Sequence, residues 1–204
     1  MQVDKNNYKF EEYSYLERWG SYYYQIKEAL KSAPKNILEI GAGDGVFGDH
    51  IKRNTSISYK SLDVAPDLNP DVVGDILSLP FPDDSFDVIV AYEVLEHIPY
   101  ENFEKALSEV ARVSKKHAVI SLPHFGPPIK FSIKIPFLPE IKIALKLPYP
   151  KKHVFNGQHY WEIGKKGYSP RKIKKVLEKH FEVIKDYVPF ENQYHHFYIL
   201  EKKS

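Results

Sequence analysis

The sequence predicts a three-layer α/β sandwich in one domain, residues 1–204, with a mostly parallel seven-stranded sheet and one antiparallel strand in a C-terminal hairpin. Three observations carry this. Short apolar runs alternate with helical patterns from Asn36 to Leu122, the rhythm of parallel strands joined by crossover helices. The first run, Asn36-Ile37-Leu38-Glu39-Ile40, empties into a loop with glycine at every second position, Gly41, Gly43 and Gly45. The last two runs, Phe181 to Val188 and Tyr194 to Glu201, are about five residues apart, too close for a parallel crossover, so they form an antiparallel hairpin.

Composition narrows the classes. A chain of 204 residues buries enough core to need no staples. It has no cysteine, so disulfides and thiolate metal sites are excluded and a reducing compartment is expected. Met1 to Phe10 is polar, without the core of a signal peptide, and no apolar run reaches the length of a membrane span. A soluble, cytoplasmic protein is expected. A net charge of +2 is too small to argue a nucleic-acid partner.

Taken in order, residues 8–24 are dense in aromatics: Tyr8, Phe10, Tyr13, Tyr15, Trp19, Tyr22, Tyr23 and Tyr24. Ser21 is the expected cap of a helix with Tyr22, Tyr23, Ile26, Ala29 and Leu30 at helical spacing up to Pro34. Two roles suit residues 1–34: a helix packed at the sheet edge, or a lid over a substrate with Tyr13, Tyr15 and Trp19 facing it.

Asn36 to Ile40 suits a buried parallel strand, with a helix beginning near Val46. The dinucleotide fingerprint is G-x-G-x-x-G, whereas here the third glycine comes one residue early and Val46 takes its place. Glu39, two residues before Gly41, would repel a pyrophosphate but accept hydrogen bonds from a cationic amino group. The pattern Glu39-x-Gly41-x-Gly43-x-Gly45 resembles the first motif of the class I S-adenosylmethionine-dependent methyltransferases, which share a Rossmann-like fold. That resemblance implies S-adenosylmethionine as cofactor and S-adenosylhomocysteine as product. Glu39 would then orient the methionine amino group, and Gly41, Ala42, Gly43 and Gly45 would allow close backbone contact.

A second strand, Ile57 to Val64, brings Asp63 to its end. Open α/β sheets place an acid there, about twenty positions past the glycine loop, for ribose hydroxyls; Val64 is its neighbour on the cofactor side. The third strand, Asp71 to Ile76, ends in a second acid. Gly74-Asp75-Ile76 followed by Leu79-Pro80-Phe81-Pro82-Asp83-Asp84-Ser85-Phe86-Asp87-Val88-Ile89 is nearly a signature of the same family, resembling its type 11 methyltransferase domain. The resemblance implies that Asp75 binds the adenine amino group and Ile76 borders the ring.

Pro82 to Ser85 is a turn and Phe86 to Tyr92 a buried fourth strand, with Tyr92 at its cofactor end. Glu93-Val94-Leu95-Glu96-His97-Ile98 follows, facing the glycine loop across the point where strand order reverses. His97 is a candidate proton acceptor. A helix over Glu101 to Val113, with Phe103, Leu107 and Val110 inward, leads to a fifth strand at His117 to Leu122.

Residues 123–155 break the pattern. They hold seven prolines and six lysines, Lys130, Lys134, Lys142, Lys146, Lys151 and Lys152, against one acid, Glu140, for a local charge of about +5. Three roles are open: a roof for the methyl acceptor, a patch facing an anionic membrane, or a structural excursion. His124, the second residue of this stretch, joins the acceptor-side candidates. Gly157 to Ile163 then precedes Ser169-Pro170, the cap and first turn of a helix whose Ile173, Val176 and Leu177 face the sheet. The family resemblance places a His-x-x-Glu pair near the acceptor, so His159 and Glu162 are candidates, His159 also as a base. As zinc ligands they are too few, and no metal is expected.

The resemblance covers residues 36–122 closely and 156–201 loosely. It implies in-line transfer of a methyl group to an unidentified acceptor, helped mainly by alignment and exclusion of water. Ala91-Tyr92-Glu93-Val94 stands where adenine and glutamine N-methyltransferases carry Asn/Asp-Pro-Pro-Tyr/Phe, which favours a small-molecule or lipid acceptor. Alternatives are a nicotinamide oxidoreductase, disfavoured by Val46 and Glu39; a non-catalytic subunit that recruits a partner; and an RNA methyltransferase using the insertion's lysines.

Overall fold

The computed structural model describes residues 8–203; the first seven residues of the 1–34 segment lie outside them. Seven strands form one sheet: β1 (Asn36–Ile40), β2 (Ser58–Asp63), β3 (Val72–Val73), β4 (Phe86–Tyr92), β5 (Ser114–Pro123), β8 (Phe181–Tyr187) and β9 (His195–Lys202). Their spatial order is β3-β2-β1-β4-β5-β9-β8. All pairings are parallel except those of β9, which runs against both β5 and β8.

Alternation along the strands makes the three layers. Leu38, Ile40, Ile89 and Ala91 face a core closed by α4 (Phe103–Val113) and α5 (Pro170–Leu177). Ile37, Val88, Val90 and Tyr92 face the opposite core, with Phe47 and Ile51 of α3 (Val46–Asn54) and Ala29 of α2 (Leu16–Leu30). Each face is dry because successive strand residues point to opposite sides. Ser169 caps α5 by accepting from the Lys172 N–H.

The N-terminal helix departs from expectation. A single turn, α1 (Phe10–Tyr13), precedes α2, which starts at Leu16 rather than beyond Ser21. Ser21 is buried inside α2, where its hydroxyl accepts from the Asn192 amide at 2.9 Å. A tertiary partner thus replaces the capping role that serine has in isolation. The third strand is also shorter than its acid-to-acid span, because Asp75 turns the chain and accepts the Leu77 N–H at 2.9 Å.

The insertion is a separate antiparallel hairpin of β6 (Pro128–Ile133) and β7 (Ile141–Lys146). Ile129 pairs with Leu145, Phe131 with Ile143 and Ile133 with Ile141, so six apolar side chains share one face. All six are exposed. The opposite face is held by the domain: Lys130 and Lys142 lie over the Phe190 ring, and Lys142 pairs with Glu191 at 2.8 Å. Lys146 reaches the carbonyls of His124 and Gln193. Among the described residues no helix is long and apolar enough to cross a membrane.

Candidate cofactor and acceptor site

A cavity of about 400 Å³ opens at the carboxyl ends of β1, β2 and β4, where an open sheet reverses its strand order. The glycine loop forms its floor. Gly41, Gly43 and Gly45 have φ of +82°, +53° and +77°, values that favour glycine. At Gly41 a second constraint applies, since a Cβ would stand 2.3 Å from Cγ2 of Val94. The loop following β4 therefore presses on the loop following β1.

Polar groups lock this floor. Asp63 at the end of β2 accepts the Ala42 N–H and the Ala65 N–H, each at 2.9 Å. Burial raises its pKa, against the lowering effect of these backbone donors. Asp44 accepts the Val46 N–H at the start of α3 and the hydroxyl of Tyr22 from α2. Asp63, Val64, Asp75, Ile76 and Tyr92 all line the cavity. The Tyr92 hydroxyl donates to the Gln25 carbonyl at 3.0 Å.

Glu39 and Gly45 are placed otherwise. Glu39 is buried beneath α3, accepts the Tyr59 hydroxyl, and is not among the lining residues. Burial pushes its carboxyl up to about 8. Gly45 is the residue from which α3 begins, and it supports the loop from outside the cavity.

The far end is built by the segment after β4 and by residues preceding β9. Glu93, Val94, His97, Ile98, Gln158, His159, Tyr194 and His195 line it. Glu93 has φ of +55°, a left-handed conformation rare for a side chain of its size. Its carboxylate accepts from the Ser121 hydroxyl at 2.8 Å. Burial raises the pKa of both Glu93 and Glu96, with repulsion from Glu162 adding at Glu93 and from Glu93 and Glu162 at Glu96. His97 is pulled down to about 4, chiefly by burial, so it is neutral at pH 7. Its Nδ1 is 3.1 Å from the Gln158 carbonyl.

His159 and Glu162 are adjacent, with Nδ1 3.1 Å from Oε1, but only His159 reaches the cavity. His124 is also set back: it is buried, stacks on His196, and is pulled down to about 3 by burial and the charge of Lys146.

The roof is made by Tyr8, Tyr13 and Arg18. Arg18 donates to the Tyr13 hydroxyl at 2.8 Å and stacks 3.7 Å over that ring. It is the only Lys or Arg lining the cavity among the described residues. Tyr15 and Trp19 turn away: Tyr15 lines a shallower groove beside Lys130 and Lys146, and Trp19 packs edge-on against Tyr22. The starting point of α2 sets this phase. Arg18 and Tyr22 are one turn apart on the loop-facing side, a pairing visible in sequence only once the helix is known to begin before Ser21.

Sheet order, glycine loop and strand-end acids together define the fold and cofactor crevice of the class I S-adenosylmethionine-dependent methyltransferases. Residues 38–122 match the family described as "Methyltransferase domain". It is 32% identical over 120 residues to norajmaline N-methyltransferase of Rauvolfia serpentina, covering 47% of this chain and 40% of that one. It is 27% identical over 114 residues to malonyl-[acyl-carrier protein] O-methyltransferase of Halorhodospira halophila, covering 49% and 38%. The chain spans about two fifths of the length of the curated relatives it matches. In structure it resembles N-methyltransferase NodS of Bradyrhizobium japonicum, solved with S-adenosylhomocysteine, at TM-score 0.65 and 12% identity over 99% of this chain and 94% of that one. The cofactor of this class is S-adenosylmethionine, and the residues present fit it. Asp63 and Asp75 stand at separate strand ends as acceptors for hydroxyl and amino groups, beside a glycine loop open to close approach.

Proposed function

We propose that this chain transfers the methyl group of S-adenosylmethionine to an apolar small molecule or lipid. The observation that carries the reading is the continuity of the cavity: Gly41, Gly43, Asp63 and Asp75 line one end, and Glu93, His97 and His159 the other. S-adenosylmethionine supplies a methyl group already activated by a sulfonium. The chain's part is to align the acceptor with it and exclude water. Asp63 suits the ribose hydroxyls and Asp75 with Ile76 the adenine. Arg18 is set to receive a carboxylate. His97, neutral at pH 7, and His159 are candidate proton acceptors. The named relatives are an N-methyltransferase of norajmaline and an O-methyltransferase of malonyl-[acyl-carrier protein], which supports a small-molecule class without choosing an acceptor.

The hairpin supports the lipid branch. Its apolar face points outward while three of its lysines are engaged by the domain, so it offers an apolar surface beside the acceptor end rather than a row of free cations for phosphates. That arrangement weighs against the RNA reading. Peripheral contact with a membrane through residues 123–155 follows from it.

The test is calorimetric titration with S-adenosylhomocysteine, with NADH as control, followed by turnover of S-adenosylmethionine with lipid extracts and amine or hydroxyl acceptors. Binding of S-adenosylhomocysteine alone, with turnover dependent on an apolar acceptor, is expected. Binding of NADH instead would overturn the cofactor assignment.

A further inference from the structure

Beside the reacting end of the cavity lies a cluster that positioning of S-adenosylmethionine does not require. Glu96 sits in the single 3-10 turn Leu95–His97 after β4 and is fully buried. Neither of its carboxylate oxygens has a hydrogen-bond partner among the described residues. A buried carboxylate left without donors is costly. Its Oε1 is 3.9 Å from Nε2 of His159 and 4.0 Å from Nε2 of His97. One ligand atom from each of the three residues falls within 4.8 Å of the others.

The two rings are oriented by their far sides. Nδ1 of His97 is 3.1 Å from the Gln158 carbonyl, and Nδ1 of His159 is 3.1 Å from Glu162 Oε1. A carbonyl only accepts, and the carboxylate accepts likewise, so both Nδ1 atoms carry the proton. Each Nε2 is left with a lone pair facing Glu96. Even as a carboxylic acid Glu96 has one proton for two lone pairs, whereas a cation accepts electron pairs from all three residues. Histidines held through the opposite nitrogen by a carbonyl and a carboxylate are the usual supporting arrangement of metal-bound imidazoles.

We propose that Glu96, His97 and His159 bind one divalent first-row transition-metal ion at the acceptor end of the cavity, with Gln158 and Glu162 as positioning residues. Donors each about 2.1 Å from a shared tetrahedral ion stand about 3.4 Å apart, so binding draws the three side chains together by several tenths of an ångström or more. Two imidazoles and one carboxylate suit manganese, iron, cobalt or zinc better than magnesium or calcium. Three protein ligands leave positions open toward the cavity that His97 and His159 line.

The substrate consequence is an acceptor oxygen. A hydroxyl held on the ion loses its proton more readily, and that proton passes to water. The oxygen then forms the new bond to the methyl carbon while the carbon–sulfur bond breaks and its electron pair stays with sulfur. This use of the ion rests on the methyl-transfer reading; binding of the ion does not.

The test uses the untagged full chain, stripped with chelator and dialysed. Mn²⁺ is titrated by electron paramagnetic resonance and Co²⁺ by visible absorption, with S-adenosylhomocysteine titrated separately by calorimetry. One ion per chain is expected. Glu96→Gln and His159→Ala should weaken it at least about 100-fold, and Glu162→Gln, which removes no ligand, about 10- to 100-fold, all with unchanged circular dichroism and S-adenosylhomocysteine affinity. No saturable binding of Mn²⁺, Co²⁺ or Zn²⁺ to a chain that binds S-adenosylhomocysteine overturns the site, as does binding that survives Glu96→Gln and His159→Ala. Ion binding without S-adenosylhomocysteine binding would uphold the site and overturn the methyl-transfer reading instead.

Discussion

Asp63 and Ala42 are joined in the floor of the crevice: the carboxylate at the end of β2 accepts the backbone N–H in the middle of the glycine loop at 2.9 Å. The acid suited to ribose hydroxyls therefore also sets the path of the loop against which the cofactor lies. Ala42 donates to Oδ2 and Ala65 to Oδ1, and a carboxylate oxygen accepts more than one hydrogen bond.

Asp63→Ala is accordingly expected to act twice. S-adenosylhomocysteine affinity should fall about ten- to a hundred-fold, and stability by about 1 to 3 kcal/mol through the two orphaned N–H groups. Calorimetric titration and urea unfolding measure the two effects separately. Unchanged affinity in a destabilised variant would leave Asp63 only its role in the loop.

Gly41 and Val94 make a second coupled pair. Gly41→Ala should cost about 1 to 3 kcal/mol from its positive φ and more from the clash with Val94. In the double variant Gly41→Ala, Val94→Ala the steric part should be recovered and the dihedral part retained. Strictly additive costs in the unfolding cycle would show that the two loops do not press on each other.

Arg18 and Trp19 are neighbours in sequence with opposite surroundings. Arg18→Ala should weaken binding of S-adenosylhomocysteine or of an anionic acceptor about tenfold or more, whereas Trp19→Ala should leave both within about twofold. Equal effects in equilibrium binding would mean that the roof is not formed as described.

Glu39 gives a pH signature. Burial pushes its carboxyl up to about 8 in the folded chain, against about 4.3 when unfolded. Between these values the folded state holds the extra proton, so stability falls as pH rises and levels off above about 8. Glu39→Gln keeps an acceptor for Tyr59 and removes this titration. The drop in melting temperature from pH 5 to 8 should shrink in the variant, part of it remaining from Glu93 and Glu96. An identical pH profile would show Glu39 to be ionised in the fold.

Deleting Ile129 to Pro148 should spare the sheet, since the hairpin adds no strand to it. S-adenosylhomocysteine affinity should stay within about twofold, and sedimentation with anionic phosphatidylglycerol vesicles should be lost. Loss of cofactor affinity together with the hairpin would make the segment structural.

Much of the architecture was legible from local pattern. Buried parallel strands are continuous apolar runs, a strand-to-helix turn needs its glycines, and a five-residue link admits only a hairpin, so β1, α3, β4 and the β8–β9 pair could be placed within a residue or two. Period-two alternation is equally plain in Ile129, Phe131 and Ile133 and in Ile141, Ile143 and Leu145. Sequence determines that these residues share a face; only the packing of Phe190 and Glu191 against the lysines decides that this face is the outer one. In the same way, helical spacing places Arg18 and Tyr22 together, but only the packing of α2, with Ser21 buried against Asn192, decides which of its residues roof the cavity. Glu96 and His97 are separated from His159 by the whole insertion, and no local propensity records their approach. It arises because the β4 end and the segment before α5 close the same core, and that is a property of tertiary packing alone.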